Sequence, residues 1–157
     1  VSKLLAPALR VGWMLVPSRY RPAVVTAKRD TDLGNAALPQ LVLAHLMEFG
    51  DLDRHLRLVR RRHRRRRDAM IDALRRELPA AQLHGAAAGL HLMITFSTSF
   101  RDVDLASAAL ERGVKMQPLS WHCQTPHPPG LVLGYAATPG SAIEQGVSLL
   151  AQAYRAG

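Results

Sequence analysis

Cysteine occurs once in the 157 residues, as Cys123, so no internal disulfide can form. A chain built this way suits a reducing compartment, and a cytoplasmic setting is expected. No stretch of eighteen apolar residues occurs, and no basic-then-apolar leader opens the chain. The sequence therefore predicts no membrane contact and no export of the part in hand. Acidic residues are outnumbered, twelve Asp+Glu against 21 Lys+Arg, for a net charge of +9. That imbalance sits in one place. Nine arginines stand at positions 54, 57, 60, 61, 62, 64, 65, 66 and 67, and without them twelve basic residues face twelve acidic ones. Outside this run the chain is electrically neutral.

What is present fits one ordinary domain, or a small domain with a piece of another. The first seventeen residues carry the most chemistry. Lys3 and Arg10 flank a turn containing Pro7, and an apolar run from Val11 to Val16 follows, predicted as a buried strand ending at Pro17. A lysine amine can form an imine with an aldehyde. An arginine fork can hold two oxygens of a phosphate. Two cations on either side of a tight turn can thus meet one small anionic ligand.

A helix is predicted to start at Pro17-Ser18 with Ser18 as its cap, and residues 31–35 read as a break. Leu38, Leu41, Val42, His45, Leu46 and Phe49 have helical spacing up to Gly50. Asp51 or Asp53 then opens a long helix to Leu78, ended by Pro79, with Leu52, Leu56, Val59, His63, Met70, Ile71, Leu74 and Leu78 as one stripe. Past Pro79 come a flexible small-residue turn at residues 85–89 and a strand over 90–96. Asp102 or Asp104 is expected to cap a helix ending at Gly113. A strand over 114–119 and a Pro-rich loop over 120–130 follow. A last strand over 131–136 leads to a helix capped by Ser141 and Glu144 as a capping box. This order predicts an α+β arrangement, a small antiparallel or mixed sheet covered by helices. His91 reads as a structural residue in its strand. Trp121-His122-Cys123 with His127 has irregular spacing, so no metal site is expected.

Ser2, Lys3, Leu5, Pro7, Leu9, Arg10, Gly12, Trp13 and Pro17 fall in register with S-[FW]-S-K-x-L-x-P-x-L-R-[LIV]-G-[YW]-x-x-x-P. The stretch resembles that segment of fold-type I pyridoxal-phosphate enzymes, most closely its form in MocR/GntR-type transcriptional regulators. Residues 55–70 also follow a pattern of that family, with His63 where tyrosine is usual. The resemblance implies the α/β fold of type I pyridoxal-phosphate transferases. It implies residues 1–35 as the end of a large cofactor-binding domain, 36–79 as linking helices and 80–157 as a small C-terminal domain.

It further implies pyridoxal 5'-phosphate held as an aldimine on Lys3, its phosphate on Arg10, and Ser2 as a weaker cofactor contact or a support of the turn. The family sets this motif mid-chain, so a C-terminal fragment of a longer protein is expected. Its other cofactor contacts precede the lysine, so the fragment alone should bind the cofactor poorly. The complete protein would be a homodimer that senses an amine or amino-acid effector and binds DNA through an N-terminal winged-helix domain absent here. Aminotransferases of this fold place an arginine in the last strand for the substrate's carboxylate. Val132 stands there instead, with Arg101 and His122 as candidate substitutes, which favours sensing over turnover. A stand-alone aminotransferase is the second alternative. A third is a basic nucleic-acid-binding module through residues 54–67, where the simpler reading is a linking helix with a solvated basic face. No aromatic or base-reading side chain interleaves those arginines.

Overall fold

The computed structural model of the chain describes residues 5–32, 34–85 and 89–157. Contacts divide it into two compact units, Val1–Val59 and Arg60–Gly157. In the first, a 3₁₀ turn at Pro7–Leu9 is followed by a second at Ser18–Tyr20, which runs into α1 (Arg21–Asp32) and then α2 (Ala37–Glu48). Gly50, at φ 71°, separates α2 from α3 (Asp51–Glu77), a conformation that glycine adopts without a Cβ clash. No residue of α1 or α2 is buried.

The second unit holds the core. β1 (Gln82–His84), β2 (His91–Thr95), β3 (Gln117–Pro118) and β4 (Gly130–Gly134) form one antiparallel sheet in the order β1-β2-β4-β3. Strand alternation sends Leu92 and Ile94 of β2 inward, in register with Leu133 and Leu131 of β4. Helix α4 (Asp102–Glu111) adds Leu105 and Ala109 to this layer. Helix α5 (Gly140–Ala156) adds Ile143, Val147 and Leu150, and the end of α3 adds Met70 and Leu74. Burying each such leucine contributes about 1.5–3 kcal/mol. Phe96 stacks on Tyr154 at 4.7 Å between ring centroids, fastening the last helix to the strand end.

Asp102 departs from its expected role. It sits at the first position of α4, after an extended Arg101, and makes no cap. Its carboxylate is 5% exposed and accepts the Ser120 N–H at 2.9 Å, the Ser120 hydroxyl at 2.7 Å and the Gly130 N–H at 3.4 Å. Burial pushes its pKa up. The Ser120 hydroxyl, the two N–H groups and the nearby His127 outweigh that, and the carboxyl lies below its ordinary range.

Three other expectations are corrected. Val11–Val16 forms no strand: a ladder needs a neighbour, no described residue pairs with it, and Leu15 is 93% exposed. Pro17, not Ser18, precedes the first helical turn. The final helix starts at Gly140 after Pro139, so Ser141 already lies inside it and makes no cap bond. Strand β1, three residues between Pro79 and Gly85, is too short to show a period in the sequence. Of the 85–89 turn, residues 86–88 lie outside the described residues.

A Cβ on Gly130 would stand 2.4 Å from the Ile94 carbonyl oxygen and 2.9 Å from Leu119 Cδ2. Gly130→Ala should therefore cost about 1–3 kcal/mol in urea unfolding. Gly140→Ala, at a position open to 4 Å, should cost nothing. Asp102→Asn should lose about 1–3 kcal/mol at pH 7. A carboxyl with a depressed folded pKa stabilises above its unfolded value, about 3.9, and loses that contribution as pH falls through the folded one. The gap between Asp102→Asn and the natural chain should thus narrow between pH 4 and lower pH; a constant gap would contradict the assignment.

Candidate functional site

The N-terminal turn is built by its proline. Ala6 is extended, Pro7 opens the 3₁₀ turn with its ring-fixed φ, and the Leu9 N–H reaches the Ala6 carbonyl at 3.3 Å. Arg10 then takes φ 48° and ψ 30°, and is the one non-glycine residue with positive φ among those described. Left-handed backbone costs a side-chain-bearing residue about 1–2 kcal/mol. Such strain at a turn exit is a mark of positions held for a purpose. The Arg10 side chain is exposed and has no acidic partner among the described residues. A guanidinium so presented fits the donor chemistry that a phosphate monoester requires. Lys3 and Ser2 lie outside the described residues.

In the second unit the sheet has one face turned from the helices. Register places His84 of β1, Met93 of β2, Val132 of β4 and Gln117 of β3 in a single row across it. His84 shares a 2.8 Å hydrogen bond with Thr95, and His122 shares one of 3.0 Å with the Gln117 side-chain oxygen. Gly130 and Gly134 flank Val132 on the same face, leaving it without side-chain neighbours along its own strand. Of the two residues considered as substitutes for a carboxylate-binding arginine, Arg101 pairs with Asp104 at 3.8 Å at the start of α4. His122 is the one tied, through Gln117, to the strand position beside Val132. Sequence reasoning had not grouped Met93, Gln117 and His84 with it. The alternation of exposed and buried residues along β2 carried the signal, but the strand order did not follow from it.

The family model for class I and II aminotransferases matches residues 2–146, which include both the turn and the sheet. The chain belongs to the aminotransferase class I and II family. It is 30% identical to the HTH-type transcriptional regulator YdeL of Bacillus subtilis over 160 residues, 98% of this chain and 34% of that protein. It is 29% identical to the rhizopine catabolism regulatory protein MocR of Rhizobium meliloti, over 99% of this chain and 32% of that one. Among solved structures, LysN, the α-aminoadipate aminotransferase of Thermus thermophilus, matches with a TM-score of 0.82 at 26% identity, covering 99% of this chain and 40% of LysN. LysN was solved with N-(5'-phosphopyridoxyl)-L-leucine. The chain thus spans about a third of the length of the curated relatives it matches. Its fold is that of the fold-type I aminotransferases, an α/β architecture of which the antiparallel sheet and its helices are one part.

Proposed function

We propose that this chain is the C-terminal part of the aminotransferase-like domain of a MocR/GntR-type transcriptional regulator that binds pyridoxal phosphate. Residues 1–35 would end the large domain, 36–79 would link, and 80–157 would form the small domain. The single observation that carries the cofactor assignment is the strained exit of the Pro7–Leu9 turn, where Arg10, without an acidic partner among the described residues, stands in the register of the family's phosphate-binding arginine. The regulator assignment is supported by YdeL and MocR, both named as regulators and matched along nearly the whole of this chain. Trp13 at 75% and Leu15 at 93% exposure support a further body of protein against this segment.

Bound pyridoxal phosphate supplies an aldehyde for a primary amine and a ring that withdraws electrons from the carbon bearing that amine. The chain's own residues would do the rest. Lys3 offers the amine that anchors the cofactor's aldehyde carbon, and must give up its proton to do so. Arg10 holds the phosphate through two N–H donors, and its charge favours the neutral form of Lys3. Ser2 supports the turn. Val132 offers no charge to an effector's carboxylate, so an amine or amino acid bound beside Lys3 would lack a guanidinium clamp from β4. The homodimer, the winged-helix DNA contact and the cytoplasmic setting belong to this same proposal. A stand-alone aminotransferase is the second reading, favoured by the match to LysN.

In the whole protein, Lys3→Ala should abolish the visible absorbance band of bound cofactor, and a band that persisted would refute the assignment. Arg10→Gly keeps a residue suited to φ 48° and removes the guanidinium. It should weaken cofactor binding about 10- to 150-fold, the equivalent of about 1.5–3 kcal/mol for a charged hydrogen bond, with the melting profile of the cofactor-free protein unchanged. The 157-residue chain alone should give no stoichiometric band on spectrophotometric titration. An effector that shifts operator binding without forming a keto product separates the regulator from the enzyme.

A further inference from the structure

Helix α3 carries a face that neither the fold nor the cofactor assignment uses. Arg60, Arg61, Arg62, Arg64 and Arg65 are all exposed, and none finds an acidic partner among the described residues. Their neighbours do: Arg67 pairs with Asp68 at 2.7 Å, and Arg66 donates to the Ala136 carbonyl. No acidic residue occurs between Asp53 and Asp68. Positions 60, 61, 64 and 65 share one side of the helix, so Arg60/Arg64 and Arg61/Arg65 are like-charge neighbours at a cost of about 0.2–0.5 kcal/mol each. Met70 and Leu74 anchor the helix in the core and hold that side outward. The positive field reaches round the helix: burial, with the charges of Arg66 and Arg62, lowers the pKa of His63. Elsewhere in Arg60–Gly157, beyond the arginines at 60–67, six Lys+Arg face seven Asp+Glu. The excess charge of the unit is this face.

We infer that Arg60, Arg61, Arg64 and Arg65 form a docking surface for the phosphate backbone of duplex DNA, bound without reading its sequence. Guanidinium forks match phosphate oxygens two at a time, and an anion removes the repulsion between the paired arginines. Apart from the arginines themselves and His63, residues 60–67 offer no side chain that reads or stacks on a base, and the guanidinium row is assigned to the phosphates, whose contacts carry no sequence information. They also expose no apolar side chain, as a membrane-surface helix or the centre of a protein interface would need. The choice of DNA among polyanions rests on the regulator assignment; the face itself does not depend on the cofactor.

The test uses the whole protein, a random-sequence duplex of about 30 base pairs and fluorescence anisotropy between about 50 and 200 mM salt. One variant combines Arg60→Gln, Arg61→Gln, Arg64→Gln and Arg65→Gln. A control of equal charge combines Arg75→Gln, Arg76→Gln, Arg101→Gln and Lys115→Gln, all exposed. Four phosphate contacts contribute a slope of about −3.6 in log K against log salt, or a loss of roughly a hundredfold over that range. The face variant should lose most of that slope and the control little of it. Since the substituted arginines are exposed and mutually repelling, the variant should melt no lower than the natural protein. Equal slopes in the two variants, an unchanged slope in the face variant, or tighter binding of the natural protein to phosphatidylserine vesicles or polyglutamate than to the duplex would each overturn the inference. Failure of the regulator assignment looks different: no winged-helix domain and no cofactor band, whatever the slopes.

Discussion

One buried carboxylate holds the second unit in shape. Asp102 begins α4, yet its hydrogen bonds run to Ser120 and to Gly130, so a helix start, a 3₁₀ turn and a strand start share a single acceptor. The turn follows directly on β3, and Gly130 opens β4. The pairing of Gln117 with Val132 is therefore set from its end by this group. Gly130 can donate to it only because no Cβ stands between that backbone and Ile94. A charged group this deep is tolerable when its oxygens are satisfied, as here, and costly when they are not. The open sheet face that carries Val132, Gln117 and His122 inherits its geometry from a residue that faces the interior.

The two units stand in contrast. Arg60–Gly157 has a dry core into which α3, α4 and α5 each send side chains, and it accounts for every fully buried hydrophobic residue described. In Val1–Val59 the helices have apolar residues but bury none, with Leu38, Leu41 and Phe49 all more than half exposed. Helical propensity and short-range bonds give these helices their local form. Tertiary burial, which supplies most helix stability in proteins, is not provided within the unit. Under the proposed assignment that burial comes from the large domain and the second protomer, and the cofactor turn is ordered by the same contacts.

How far the sequence could be read follows from the range of the interactions concerned. The helix from Asp51, the stop before Pro79, the helix break at Gly50 and the strands around Ile94 and Leu133 are written in residues a few positions apart. They were legible. Asp102 was misread because its partners lie 18 and 28 positions away, while Asp before an apolar run is also what a cap looks like. The Ser141–Glu144 pair failed as a box because the helix takes Pro139 as its N-cap, two positions early. Of the candidate site, Arg10 was legible through the motif, whereas its left-handed backbone was not, since arginine carries no propensity for it. The row joining His84, Met93, Val132 and Gln117 needed the strand order, which no local pattern encodes.

Sensing and turnover ask different things of the same chemistry. An enzyme must hold its substrate through a transition state, and a guanidinium on the last strand would serve that by fixing the carboxylate in one orientation. A regulator needs only that its effector favour one of two arrangements over the other; moving a population from 1:99 to 99:1 takes about 5.5 kcal/mol of differential affinity. Under the proposed assignment, binding of an amine at Lys3 would supply such a difference without a carboxylate clamp. Val132 of β4 contributes shape rather than charge, and Gln117, its partner on β3, is hydrogen-bonded to His122. Under the proposed assignment that would favour effectors chosen by the fit of their side chain over ones chosen by their carboxylate.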